Sequence, residues 1–144
     1  MKRYSEMNRD EYYTFRRECD NYFFYLARIG ELNDALTLTV GKMEGVKSIE
    51  FNRVISGPSS PEAGSRVIRY MDRKDELLEQ LEEYKEKISY ILHTINSFPD
   101  PSYRAAAWMV YVQGLSMERV SEIYGMKRQT LQKHLMEQLI DNEQ

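Results

Sequence analysis

A chain of 144 residues, 42% hydrophobic and 30% charged, can form one packed domain or two small ones sharing a long helix. Its net charge of −3 excludes a binder that holds nucleic acid by bulk positive charge, so such a partner would need a local basic patch. The single cysteine, Cys19, and two histidines, His93 and His134, exclude an internal disulfide and a multi-cysteine zinc site, and no metal-ligand cluster is visible.

The opening, MKRYSEMNRDEYY, lacks the apolar segment of a signal peptide. No apolar run approaches the roughly 20 residues that cross a bilayer. The expectation is a cytoplasmic protein with no membrane partner and no cofactor.

The first block runs from residue 10 to 47. Apolar residues recur at Tyr12, Phe15, Cys19, Tyr22, Leu26 and Ile29, then at Leu36, Val40 and Met43, in helix-packing steps of three and four. Asn33 falls on this seam as a polar interruption. Gly30, Gly41 and Gly45 each weaken a helix by roughly 1 kcal/mol relative to Ala, which predicts a bend near Gly30 and fraying after Gly41. Residues 46–55, VKSIEFNRVI, fit a short strand or an irregular extension equally well. Gly57, Pro58, Pro61 and Gly64 then predict a loop over 52–65.

One long helix follows, from Pro61 or Glu62 to Ser97. Leu77, Leu81, Tyr84, Ile88, Ile91, Ile95 and Phe98 are spaced alternately four and three, with Val67 and Met71 near the same seam. Glu79, Glu82, Glu83, Glu86, Lys85 and Lys87 lie mostly outside it. Pro99 and Pro101 end the helix because proline cannot donate the helical hydrogen bond. A helix over 103–113 comes next. The first and third blocks together predict a long, coiled-coil-like helical hairpin. The aromatics Tyr12, Tyr13, Phe15, Tyr22, Phe23, Phe24 and Tyr25 exceed what one partner helix covers, which predicts a homo-oligomer, a dimer being favoured.

The segment GLSMERVSEIYGMKRQTLQKHL, residues 114–135, carries most information. Ser116 N-caps a helix over Met117–Tyr124. Gly125 supplies the left-handed residue that ends it. A second helix over 128–139 places Leu131, Leu135 and Leu139 on one face. Lys127, Arg128, Gln129, Gln132, Lys133 and His134 occupy the other. This is the layout of a helix-turn-helix whose second helix reads the major groove of double-stranded DNA. Gln129 and Lys133 share a row, with Arg128 and Gln132 beside it. Gln can bond adenine through two atoms, and Arg or Lys bonds the two major-groove acceptors of guanine. Lys127 and Thr130, at the helix start, suit phosphate. Arg104 and Arg119 suit the flanking backbone. From 101 to 140 the bases Arg104, Arg119, Lys127, Arg128 and Lys133 face the acids Glu118, Glu122 and Glu137, a net charge of +2.

The plain alternative is a solvated amphipathic surface. Against it, no acid occurs from Lys127 to Met136, and the helix–glycine–helix spacing is more specific than amphipathicity. Cys19 reads as a small core residue and His93 as a helix-surface residue. The run LLEQLEEYKEK reads as a solvated coiled-coil face rather than a carboxylate pair. Without a phosphate loop, nucleophile elbow or metal motif, no residue supports an enzyme.

The 114–135 segment resembles the helix-turn-helix of sigma-70 region four. With DPSYRAAAWMVYVQGLS and the wider order of elements, it is similar to phage and prophage transcriptional regulators of the ArpU/RinA type. The likeness is carried by the C-terminal third, and elsewhere by architecture. Lys127 stands where Ser or Thr usually caps the second helix, and Ser121 where a small Ala is usual. The resemblance implies activation of phage genes by promoter binding, and sigma-like domains add RNA polymerase as a candidate partner.

The combined expectation is an all-α protein: a helical hairpin and oligomerisation region over 1–98, then a helix-turn-helix DNA-binding domain over 99–144. It would act as a sequence-specific transcription regulator. The alternatives are a DNA-packaging recognition subunit like a small terminase, and a sigma-like adaptor that grips polymerase.

Overall fold

The computed structural model describes residues 4–56 and 61–142, with side chains described over 10–47 and 64–139. Among the described residues the regular structure is all helical and no strand occurs. The helices are α1 (Tyr4–Asp20), α2 (Tyr22–Ser56), α3 (Pro61–Asn96), α4 (Pro101–Ala107), α5 (Met117–Ile123) and α6 (Arg128–Asn142). Helix α4 runs directly into a π-helical turn, Trp108–Val112.

The break in the first block falls at Asn21, not near Gly30. The Asn21 amide bonds the Glu18 carbonyl, three residues back, at 3.1 Å, and its side-chain nitrogen donates to the Arg17 carbonyl at 3.1 Å. This tighter turn shortens one step of the apolar seam. Cys19, Tyr22 and Tyr25 are buried in succession, and Leu32 follows at 2% exposure. Leu26, expected on the seam, is 42% exposed. Asn33 is also exposed, and its carbonyl accepts the Thr37 hydroxyl at 3.0 Å.

Helix α2 continues through Gly30, where a bend was expected, through Gly41 and Gly45, where fraying was expected, and through residues 46–55. Burial of Met43 and Val46 supplies the reason. A buried side chain of this kind contributes about 1.5–3 kcal/mol, more than one helical glycine costs. Of the loop expected over 52–65, residues 52–56 belong to α2 and 61–65 to α3. Residues 57–60 of that loop lie outside the described residues.

The chain divides into two compact units, one of Met1–Phe24 with Lys87–Gln144 and one of Tyr25–Glu86. The boundary expected at 98/99 falls inside the first. In the Tyr25–Glu86 unit, Leu32, Leu77 and Leu81 form a buried cluster packed by Ile29, Ala35, Leu36 and Tyr84. The Tyr25 and Tyr84 rings meet at 5.9 Å. Met71, placed near the seam by the sequence, is 49% exposed.

The other unit is built around Phe15, 1% exposed, on α1. Its ring lies 6.1 Å from Phe98 and 5.4 Å, edge-on, from Tyr111. Ile91, Ile95, Phe98, Ala106, Ala107, Val120, Leu131 and Leu135 complete a core almost without solvent contact. Helix α1 packs on α6 and on the π-helical turn. The Lys87 ammonium reaches Glu18 of α1 at 3.7 Å.

Candidate nucleic-acid interface

The joint between α3 and α4 is held by polar bonds from three directions. Pro101 occupies the first turn of α4, and the Asp100 carboxylate caps it by accepting the Ser102 amide at 2.9 Å. The Asp100 amide donates to the side-chain oxygen of Gln138 on α6 at 2.8 Å. Arg104, one of the expected backbone anchors, turns inward. Its Nε and Nη2 donate to the Phe98 carbonyl at 3.2 and 2.8 Å, satisfying an acceptor just past the α3 C-terminus.

Helix α5 starts where the sequence places it. The Ser116 hydroxyl accepts the Arg119 amide at 3.1 Å. Val120 and Ser121 face inward, and the Ser121 hydroxyl donates to the Glu118 carbonyl at 2.7 Å. That bond lets serine occupy a buried position suited to alanine, since its one polar group is satisfied within the helix. Gly125, at φ +65°, takes the left-handed conformation that ends α5. Its amide bonds the Glu122 carbonyl at 3.1 Å. Tyr124, half-buried, donates its hydroxyl to the Ser102 carbonyl at 2.6 Å and so fastens the turn to α4.

On α6 the two faces segregate. Leu131, Leu135 and Leu139 are 0%, 1% and 8% exposed. Lys127, Arg128, Gln129, Thr130 and Lys133 are exposed, and Gln132 is half-buried beside them. Arg119 is exposed on α5. Arg128 meets Glu118 of α5 at 3.7 Å, with both side chains more than half exposed. A pair this open contributes about 0–1 kcal/mol, so a phosphate or base could displace Glu118 at little cost. Lys127 precedes the helix with donors only, so it offers no acceptor to the first amides of α6.

His134, counted on the basic face by the sequence, is half-buried. Its ring stacks on Tyr103 of α4 at 5.1 Å, and Nδ1 lies 3.2 Å from the Glu137 carboxylate. Burial and the nearby Asp100 carboxylate push the Tyr103 phenol above its ordinary value. The sequence also did not single out Glu118, Tyr124 or Gln138. Their roles depend on partners 10 to 38 residues away, and no periodicity reports those.

Among the described residues no helix is long and apolar enough to cross a membrane, and no group of three His, Cys, Asp or Glu side chains gathers for a metal. No protein-family model, curated protein or solved structure matches the chain.

Proposed function

We propose that the chain is a sequence-specific, double-stranded DNA-binding transcription regulator of phage or prophage genes, with α5, Gly125 and α6 as a helix-turn-helix. One observation carries the reading: α6 buries three leucines while its outer side presents Lys127, Arg128, Gln129, Thr130 and Lys133 with no acid among them. Gln129 and Lys133 read base edges in the major groove. Lys127, Thr130 and Arg119 contact phosphate, and the uncapped start of α6 adds backbone donors and the positive end of its dipole. Arg104 contributes by fixing the joint beneath.

The Tyr25–Glu86 unit is read as a helical hairpin that brings two copies together. Leu38, Ile68, Met71 and Leu78 are 60%, 61%, 49% and 43% exposed on it, an apolar surface of the kind that marks an interface. A dimer predicts half-sites about one helical turn apart, or a multiple of that.

Selection of bound duplexes from a random pool, at two salt concentrations, tests the reading beside a Gln129→Ala/Lys133→Ala variant. Recovery of one motif that the variant loses supports base reading by α6. Binding without a motif, equally salt-sensitive in both proteins, points instead to DNA packaging. Absence of binding at either salt refutes DNA recognition and leaves the polymerase adaptor.

A further inference from the structure

The basic surface of α5 and α6 also carries two acids, Glu118 and Glu122, both exposed and one turn apart on α5. Glu118 is engaged: its Oε1 lies 3.7 Å from Nη1 of Arg128, across the Gly125 turn and ten residues along the chain. Among the described residues Glu122 has no ion-pair partner. Arg128 is the first residue of α6. In a helix-turn-helix the N-terminal residues of the second helix meet base edges, so this arginine stands at the reading end. The positive end of the α6 dipole disfavours a cation in its first turn. The Glu118 carboxylate offsets that repulsion and limits where the guanidinium goes.

A guanidinium presents its N–H donors in a rigid planar fork. Glu118 meets one nitrogen, Nη1, and among the described residues Nε and Nη2 have no acceptor. Those two nitrogens match the adjacent N7 and O6 acceptors that guanine shows in the major groove. A phosphate fits the same fork, but it would place a second anion beside the Glu118 carboxylate. A base carries no net charge and meets no such repulsion. Glu118 therefore favours a neutral acceptor for Arg128 over an anionic one. A tethered side chain also has less freedom to lose on binding, which lowers the cost of reading.

We infer that Arg128 reads a guanine of the target site and that Glu118 is the positioning residue that directs it to base rather than phosphate. The assignment rests on the reading of α5, Gly125 and α6 as a DNA-binding unit, and adds to it the base that one side chain selects. Glu122 opposes DNA only through its charge, alike for every sequence.

Fluorescence anisotropy of the full chain tests this, with the duplex recovered by selection, copies in which each guanine is replaced in turn, and a random duplex, at two salt concentrations. Replacing one guanine should cost the native chain about 10- to 100-fold in affinity, and Arg128→Gln should no longer distinguish that position. Glu118→Gln should reduce the preference for the same guanine several-fold. It should also bind the random duplex more tightly, with a salt slope steeper by about one, because Arg128 is released to phosphate. In an Arg128→Gln background Glu118→Gln should change no base preference. Glu122→Gln should tighten binding to every duplex by the same factor and relax no base position. A recovered motif whose guanines are all read without Arg128 overturns this assignment alone. So does an Arg128→Gln variant that weakens every duplex equally, the mark of a phosphate contact. Equal relaxation by Glu118→Gln and Glu122→Gln overturns the role of Glu118. A native chain that recovers no motif refutes base reading by α6 itself, and this assignment with it.

Discussion

Phe15→Ala tests whether α1 is part of the C-terminal structure or an appendage to it. The native ring is 1% exposed and meets Phe98, Tyr111 and Tyr90 at 6.1, 5.4 and 6.4 Å. Truncating a buried phenylalanine costs about 3–5 kcal/mol in transfer and cavity terms. A small domain has only about 5–15 kcal/mol in total, so the unit of Met1–Phe24 and Lys87–Gln144 would lose much of its margin. For a unit of this size the melting temperature should fall by on the order of 20 °C. Tyr13→Ala is the control, because Tyr13 is adjacent but 58% exposed, and it should cost under about 1 kcal/mol. Urea unfolding followed by amide hydrogen exchange would show α5 and α6 losing protection in Phe15→Ala and keeping it in Tyr13→Ala. Equal protection of α5 and α6 in both variants, or a Phe15→Ala cost below 1 kcal/mol, would refute the packing argument.

Three further outcomes follow from the geometry. Gly114→Ala should cost more than Gly125→Ala, although both glycines have positive φ, +77° and +65°. Each pays about 1–2 kcal/mol of backbone strain, but a Cβ at 114 also strikes the Phe23 ring while nothing lies within 4 Å at 125, and thermal melts of the pair resolve the difference. Arg104→Met should destabilise by about 1.5–3 kcal/mol through the abandoned Phe98 carbonyl, yet leave the salt dependence of any DNA binding unchanged, since the side chain faces inward. Tyr111→Phe should raise stability by about 1 kcal/mol, because the lost hydroxyl is desolvated and unbonded. Burial, then Tyr12 and Cys19, hold the Tyr111 phenol well above its ordinary value. The unfolded chain therefore ionises at this position first, near pH 10, and stability falls as pH rises from there toward the folded value. Denaturation midpoints measured upward from pH 9 should fall less steeply in Tyr111→Phe than in the native chain.

Much of this architecture is legible because strong local signals agree. The four-three spacing from Leu77 to Phe98 marks the buried side of α3, and the prolines at 99 and 101 mark its end. Ser116 and Gly125 bracket α5 through capping chemistry that needs no tertiary partner. Where the reading failed, a turn or a contact that the periodicity does not carry decided. Tyr25 and Leu26 are adjacent and both apolar, so steps of three or of four fit equally well until the Asn21 turn selects Tyr25. The glycines of α2 argued for fraying, but Met43 and Val46 find burial that a propensity sum does not include. At the candidate interface, chain position identified the exposed row of α6. It did not reveal that Arg104 is committed to Phe98, nor that His134 is a stacking partner for Tyr103.

The compact unit that contains α5 and α6 draws its central ring from residue 15 and its remaining walls from residues beyond 87. A ribosome delivers these parts in order, at about 5–20 residues per second. Helix α1 therefore emerges several seconds before the surface it will bury against. During that interval Tyr12, Phe15 and Tyr22 form an apolar stripe without its mate. Nascent α1 is consequently open to chaperones and to misassembly over that interval, and a slowed codon run between 25 and 86 should lower soluble yield.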